Sequence, residues 1–109
     1  MTETIRIAGL EELPEGRGVR VDVGSHRIAV FRLPDAVYAI GDRCSHAEAS
    51  LSEGDVFGHE VECPRHGSEF SLETGEPASF PATRPVPVYP AAVRDGDVFL
   101  ELPDAEEGS

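Results

Sequence analysis

Two short segments of the sequence each place one cysteine close to one histidine. One residue separates Cys44 from His46, two separate Cys63 from His66, and 16 residues lie between the two pairs. A cysteine thiolate is a soft metal ligand, and imidazole is a common ligand of transition metals. Two loops that each offer one thiolate and one imidazole can hold a two-iron core from opposite sides. If both thiolates bind one iron, both histidines remain for the other. These four residues are therefore the candidate metal and cofactor ligands, and no catalytic set is predicted.

A chance clustering and a zinc site are the alternatives to a two-iron core. The chain contains only two cysteines and four histidines, so a chance clustering of four of them is difficult to obtain. A structural zinc site of the Cys₂His₂ type would use the same ligand atoms. Zinc fingers normally pair Cys with Cys and His with His, usually on a ββα unit, whereas each half here mixes the two and no helix is predicted. A structural zinc module is therefore the more remote alternative. The remaining histidines, His26 and His59, fall at predicted turns and are expected at the surface.

The segments around the two pairs follow a β pattern. Period-two alternation and turn residues predict strands at 4–8, 19–23, 26–33, 36–40, 92–94 and 98–102, with short apolar pieces at 56–57 and 60–62. The first forty residues therefore predict a β-meander. Residues 80–90 contain too many prolines for a helix or a central strand. The pattern indicates a β base with a metal-bearing insertion near its middle.

Composition limits the class of protein. A chain of 109 residues with 39% hydrophobic and 28% charged residues is typical of one globular domain with a modest core. The net charge of −12 argues against nucleic acid and anionic lipid as partners. No apolar run has the length of a signal peptide or a membrane span, so we expect a cytoplasmic protein. In that reducing compartment, two cysteines favour metal binding over a disulfide.

The surroundings of the candidate ligands carry a family resemblance. It rests on Cys44-Ser45-His46, Leu51-Ser52-Glu53-Gly54, Val61-Glu62-Cys63-Pro64-Arg65-His66-Gly67, Phe70 and Thr74-Gly75-Glu76. This region resembles the cluster region of Rieske-type ferredoxins. The resemblance implies an all-β fold, an antiparallel Rieske-type β-sandwich with a small inserted cluster-binding subdomain. It implies a single domain at 1–103, with the cluster-binding part at about 41–76 and a flexible acidic tail at 104–109. It also implies one [2Fe–2S] cluster, with Cys44 and Cys63 on the inner iron and His46 and His66 on the outer iron.

Differences between this chain and other Rieske proteins indicate which group of the family it resembles most. Rieske proteins of cytochrome bc complexes add a second cysteine in each loop, where this chain has Ala49 and Arg65. Large oxygenase subunits carry a separate catalytic domain, for which 109 residues leave no room. In similar high-potential proteins, a serine at the position of Ser68 donates a hydrogen bond to a cluster sulfide. A tyrosine stands in those proteins where this chain has Phe70. Among these groups, the sequence therefore resembles the Rieske-type ferredoxins most.

The expected function is single-electron transfer. By resemblance, the chain passes electrons from a flavin-dependent ferredoxin reductase to a terminal redox enzyme such as a Rieske non-haem iron oxygenase. It is expected to be a monomeric electron-transfer component of a dioxygenase, not itself an enzyme. The alternatives are a small redox subunit of a nitrite-reductase-like enzyme and an accessory protein of iron–sulfur cluster assembly. Residues 44–76 carry eight acidic residues and one basic residue, Arg65, which predicts a negative docking face for a positive partner.

Overall fold

The strands of this protein are short, mostly antiparallel and joined by tight turns. A computed structural model describes residues 2–44, 49–65, 67–78 and 84–103. The ten strands in these ranges are β1 (Thr2–Gly9), β2 (Gly18–Val23), β3 (His26–Arg32), β4 (Val37–Gly41), β5 (Val56–Phe57), β6 (Glu60–Glu62), β7 (Glu69–Ser71), β8 (Val88–Tyr89), β9 (Ala91–Arg94) and β10 (Asp97–Pro103). Single 3₁₀ turns at Leu10–Glu12 and Leu51–Glu53 are the helical elements of the described residues. The all-β prediction is confirmed.

The strands form three antiparallel sheets. Their orders are β2-β3-β4-β8, β1-β10-β9 and β5-β6-β7. The first two sheets form the base of the molecule, and pairing of β1 with β10 brings the two ends of the described chain together. The third sheet lies between β4 and β8 in the sequence. The structure therefore shows an insertion in a β base, as the sequence pattern predicted.

Strands β3 and β4 lie between two apolar cores. In β3, Ile28 and Val30 belong to one cluster of buried residues, while Ala29 and Phe31 belong to the other. Successive side chains of a strand point to opposite faces, so a strand buried on both faces needs a continuous apolar run. The run from Ile28 to Phe31 meets this need, and all four residues are fully buried.

Each core joins β3 and β4 to a different sheet. The core shared with the β1-β10-β9 sheet contains Leu13, Ile28, Val30, Val37, Ala39, Tyr89, Val98, Leu100 and Leu102. The core shared with the inserted sheet contains Ala29, Phe31, Leu33, Ile40, Cys44, Leu51, Val61, Cys63, Phe70, Leu72 and Val86. Both candidate cysteine ligands lie in the second core.

Strands β7 and β8 were not predicted from the sequence. Each is short and is defined by its pairing more than by a local pattern: β7 pairs with β6 in a hairpin, and the two residues of β8 pair with the distant β4. Because β8 is the edge strand of its sheet, the surrounding prolines do not interrupt a central ladder. The predicted acidic tail at 104–109 lies outside the described residues. In the part of the chain that the structure describes, no helix has the length and apolarity needed to cross a membrane.

Candidate metal centre

The first cysteine begins a loop that leaves the end of β4. At the base of this loop, the Leu51 N–H donates to the Asp42 carbonyl over 2.6 Å. The Cys44 N–H then donates to the Ala49 carbonyl over 3.0 Å. Cys44 itself is buried, with 3% of its surface exposed. The chain returns from the loop into the 3₁₀ turn at Leu51–Glu53.

The second cysteine begins the loop of the β6–β7 hairpin. Its N–H donates to the Ser68 carbonyl over 2.6 Å, and its carbonyl accepts from the Gly67 N–H at 3.0 Å. Gly67 has a φ of 78°, a left-handed conformation that glycine adopts without steric cost. Cys63 is 1% exposed, whereas Pro64 and Arg65 beside it are exposed. The loop therefore buries its cysteine and presents the following residues to solvent.

A glycine lets the two loops approach each other. Gly54 follows the 3₁₀ turn of the first loop, and a side chain at this position would overlap the Glu62 carbonyl, one residue before Cys63. The Glu62 N–H donates to the Asp55 carbonyl over 2.8 Å and fixes the same contact. This close packing brings the first loop alongside the start of the second.

The two buried cysteines suit an iron–sulfur group. Cys44 and Cys63 are not joined in a disulfide, and both belong to the core beneath the inserted sheet. Two thiols from adjacent loops in a dry setting match the thiolate ligands that such a group requires. The other predicted ligands, His46 and His66, lie outside the described residues. Within the described ranges, no group of three metal-ligating side chains is found.

Two polar side chains are buried near the cysteines. Ser68 is fully buried, five residues after Cys63. Asp42 is also fully buried, and it was not among the residues predicted to belong to the site. The signal available in the sequence was an acidic residue directly after an apolar strand and two positions before Cys44.

A second polar cluster lies at the surface. The Tyr38 hydroxyl donates to Asp35 over 2.8 Å, and His59 Nε2 is 3.0 Å from the same carboxylate oxygen. The hydrogen bond to Asp35 raises the pKa of His59 above its usual 6.5, and the same bond lowers the pKa of Asp35 below 3.8. The surface position predicted for His59 is confirmed. His26 is half-buried instead, because its ring packs edge-on against Tyr89.

Acidic side chains are frequent in the segment that carries the two cysteines. Those in the described part of 44–76 are Glu53, Asp55, Glu60, Glu62, Glu69, Glu73 and Glu76. Four of these, at positions 53, 55, 73 and 76, are exposed, and the other three are half-buried. Exposed acidic residues therefore outnumber exposed basic ones in this segment, although Arg43 and Arg65 lie exposed close to the two cysteines.

Comparisons with known proteins agree with this geometry. The family model described as "Rieske [2Fe-2S] domain" matches residues 3–90. A relative from Escherichia coli (strain K12), the 3-phenylpropionate/cinnamic acid dioxygenase ferredoxin subunit, is 46% identical over 96 residues, which cover 87% of this chain and 90% of the relative.

Several solved structures have a fold similar to that of this chain. The ferredoxin of carbazole 1,9a-dioxygenase from Nocardioides aromaticivorans IC177 has a TM-score of 0.86 at 37% identity, covering 93% of this chain and 98% of that one. A chain in a complex of reduced oxygenase and oxidized ferredoxin of carbazole 1,9a-dioxygenase has a TM-score of 0.83 at 40% identity, covering 89% and 91%. A putative NADH-dependent nitrite reductase small subunit from Mycobacterium tuberculosis reaches 0.86 at 28% identity, covering 96% and 99%.

Proposed function

Because this chain belongs to the Rieske [2Fe–2S] domain family, we propose that it is the ferredoxin component of a Rieske non-haem iron oxygenase system. In this role it takes single electrons from a flavin-dependent reductase and passes them to the oxygenase. The structural observation that carries the proposal is the placement of Cys44 and Cys63, two buried thiols at the start of two adjacent loops.

The proposed ligand set is Cys44, His46, Cys63 and His66. The [2Fe–2S] cluster of the family accepts one electron and releases it again. In this assignment, the thiolates of Cys44 and Cys63 would hold one iron within the apolar core. The two imidazoles would hold the other iron. Burial of the thiolates excludes water from one side of the site, so we expect electrons to enter and leave at the histidine side.

The position of the second loop supports this route. Cys63 is buried, but Pro64 and Arg65, which lead to His66, are exposed. The chain therefore reaches the surface between one proposed inner ligand and one proposed outer ligand. A partner docked on Pro64 and Arg65 contacts the loop next to the proposed ligand His66 in the sequence without displacing the core.

A role as a nitrite reductase small subunit is the second candidate. It rests on the structural similarity to the Mycobacterium tuberculosis protein. The sequence identity is 28% for that protein and 46% for the dioxygenase ferredoxin subunit from Escherichia coli. The ferredoxin role is therefore favoured.

The ligand set can be tested by cluster analysis. We expect the wild-type protein to contain two irons and two sulfides per chain and to give the rhombic spectrum of a reduced Rieske cluster. The variants Cys44→Ser, Cys63→Ser, His46→Ala and His66→Ala are each expected to lose this spectrum. His59→Ala is the matched control, because it removes an exposed histidine outside the two pairs. A normal spectrum in any of the four ligand variants would show that the assignment is wrong.

The partner assignment requires a separate electron-transfer assay. The protein, reduced by a flavin-dependent ferredoxin reductase, is offered in parallel to a Rieske non-haem iron oxygenase and to the large subunit of a nitrite reductase. Faster oxidation by the oxygenase is the expected result. Preferential oxidation by the nitrite reductase subunit would replace the first candidate with the second.

A further inference from the structure

Asp42 is a buried charged residue that the electron-transfer role does not itself require. Among the fully buried residues of the described ranges, it is the one with an ionisable carboxyl group. It lies between the end of β4 and Cys44. A buried carboxylate is costly unless its oxygens have partners, so its retention at this position calls for a physical reason.

The contacts of Asp42 all fix the base of the Cys44 loop. Its N–H donates to the Arg27 carbonyl over 2.9 Å, which extends the pairing of β3 with β4. Its carbonyl accepts from the Leu51 N–H over 2.6 Å, and its Oδ1 accepts from the Ser52 N–H over 2.9 Å. One residue therefore joins β3, the end of β4 and the 3₁₀ turn after the loop.

The 3₁₀ turn depends on Asp42 because it has no local cap. The preceding residue, Ser50, makes no side-chain hydrogen bond to the turn. The first N–H groups of a helical turn have no partner within the turn itself. Asp42 binds two of them, those of Leu51 and Ser52, and a charged acceptor makes the second bond stronger than a neutral one would.

Arg27 compensates the buried charge. Its guanidinium Nη2 lies 3.6 Å from Asp42 Oδ2, an oxygen that has no hydrogen bond in the described part of the structure. The arginine side chain is 42% exposed, so the ion pair joins a buried carboxylate to a solvent-exposed guanidinium. The negative charge is held in the core next to the loop, and its counter-charge remains at the surface.

We propose that Asp42 is a positioning residue for the cluster: its carboxylate, backed by Arg27, holds the base of the Cys44 loop and so fixes the position of Cys44. The inference rests on the proposed function, because it takes Cys44 as a cluster ligand. Removal of the carboxylate frees the Ser52 N–H and loosens the loop. Removal of its charge alone leaves the loop in place but changes the electrostatic field near the metal centre.

The test compares Asp42→Ala and Asp42→Asn with matched changes at Asp22. Asp22 is an exposed aspartate of β2 that pairs with Arg20. We expect release of iron to a chelator to accelerate about tenfold in Asp42→Ala, which corresponds to the loss of one charge-assisted hydrogen bond. Asp42→Asn keeps an oxygen acceptor for Ser52, so iron release is expected at the wild-type rate. The reduction potential of this variant is expected to become more positive, because a negative charge near the cluster is removed.

Further outcomes distinguish a positioning role from simple packing. Arg27→Gln is expected to make the reduction potential more negative, because a positive charge is removed. Asp22→Asn and Asp22→Ala are expected to change neither the rate of iron release nor the reduction potential. Wild-type iron release and potential in Asp42→Ala would overturn the inference, even with a lower melting temperature. Should Asp42→Ala not fold, rapid iron release from Asp42→Asn, or an unchanged potential in Asp42→Asn and Arg27→Gln, would overturn it. A wild-type protein without a cluster would overturn the proposed function as well.

Discussion

Cys44 and Cys63 occupy the same position in two loops of equal length. The N–H of each cysteine donates to the carbonyl of the residue five positions later, Ala49 in the first loop and Ser68 in the second. Both cysteines are therefore held by the hydrogen-bonded base of a loop, and both lie in one apolar core. This arrangement fixes two thiols from separate parts of the chain with backbone bonds and leaves the loop residues between to carry the histidines.

The contact between the two loops depends on the absence of a side chain at residue 54. Gly54→Ala places a methyl group against the Glu62 carbonyl, and backbone must move to admit it. Overpacking of this kind costs about 1–3 kcal/mol. We expect a lower melting temperature and a lower iron content per chain, measured by thermal unfolding and by iron analysis. Gly9→Ala is the control, because a methyl group there meets only ordinary contacts of 3.8 Å or more. Equal iron content in both variants would show that this contact does not hold the loops.

The buried hydroxyl of Ser68 is expected to raise the reduction potential. Hydrogen bonds to cluster sulfurs stabilise the negative charge added on reduction. Ser68→Ala should therefore shift the potential to a more negative value in protein-film voltammetry. Ser71→Ala is the control, because the Ser71 hydroxyl accepts instead from the Glu73 and Thr74 N–H groups at 3.2 Å. Equal potentials in the two variants would make Ser68 a residue of the loop backbone only.

The wild-type potential is itself expected near the lower end of the Rieske range of about −150 to +300 mV. Two features support this value. Phe70 is fully buried but has no hydroxyl to donate, and the surface around the cysteine loops is acidic. Both features disfavour the added negative charge. A measured potential near the upper end of the range would contradict this prediction.

The sequence predicted the fold class, which the structure confirms, and a set of four ligands, which stays a prediction. The spacing of the two Cys–His pairs and the strand alternation are local signals, and the all-β base with an inserted segment follows from them. The role of Asp42 could not be predicted in the same way. It depends on contacts with Ser52 and Arg27, which lie 10 and 15 positions away along the chain. The close approach of Gly54 to Glu62 likewise depends on how the 3₁₀ turn packs against the following hairpin.

The hydrogen bond between His59 and Asp35 makes stability depend on pH. The pKa of His59 is raised above 6.5 by this bond, so its contribution is complete below about pH 6.5 and is lost as pH rises through the folded-state pKa. The pKa of Asp35 is lowered below 3.8, so its contribution is present above that value and is lost as pH falls through the folded-state pKa. The window of full stabilisation therefore lies between the two.

This pH dependence can be measured with His59→Gln. Urea unfolding at about pH 6 and about pH 9 gives the stability difference between wild type and variant on each side of the titration. We expect a larger difference at the lower pH. His26→Gln is the control, because the His26 ring contacts a phenol hydroxyl, that of Tyr89 at 3.3 Å, in place of a carboxylate. A difference for His59→Gln that is the same at both pH values would contradict the prediction.

Glu62 and Glu69 face each other directly across the base of the Cys63 loop. Two like charges directly opposite each other repel, so the pair concentrates negative charge at this point of the hairpin. Their position below the proposed exit of the electron favours a role in docking. Negative charges steer a positively charged partner into the encounter, and this effect acts on the association rate more than on the affinity of the docked pair.

Replacement of both glutamates with glutamine is therefore expected to slow reduction by the reductase at low ionic strength. The control is the double variant Glu3→Gln and Glu101→Gln, which removes two exposed charges from β1 and β10. Stopped-flow rates at increasing salt provide the measurement. The rates of the wild type and the Glu62/Glu69 variant should converge as salt rises, because exposed charges are screened beyond about 8 Å at physiological ionic strength. If the control variant slows reduction equally, the partner responds to the net charge of −12 and not to the charges at the Cys63 loop. If neither variant slows it, apolar contacts around the proposed histidine ligands govern docking.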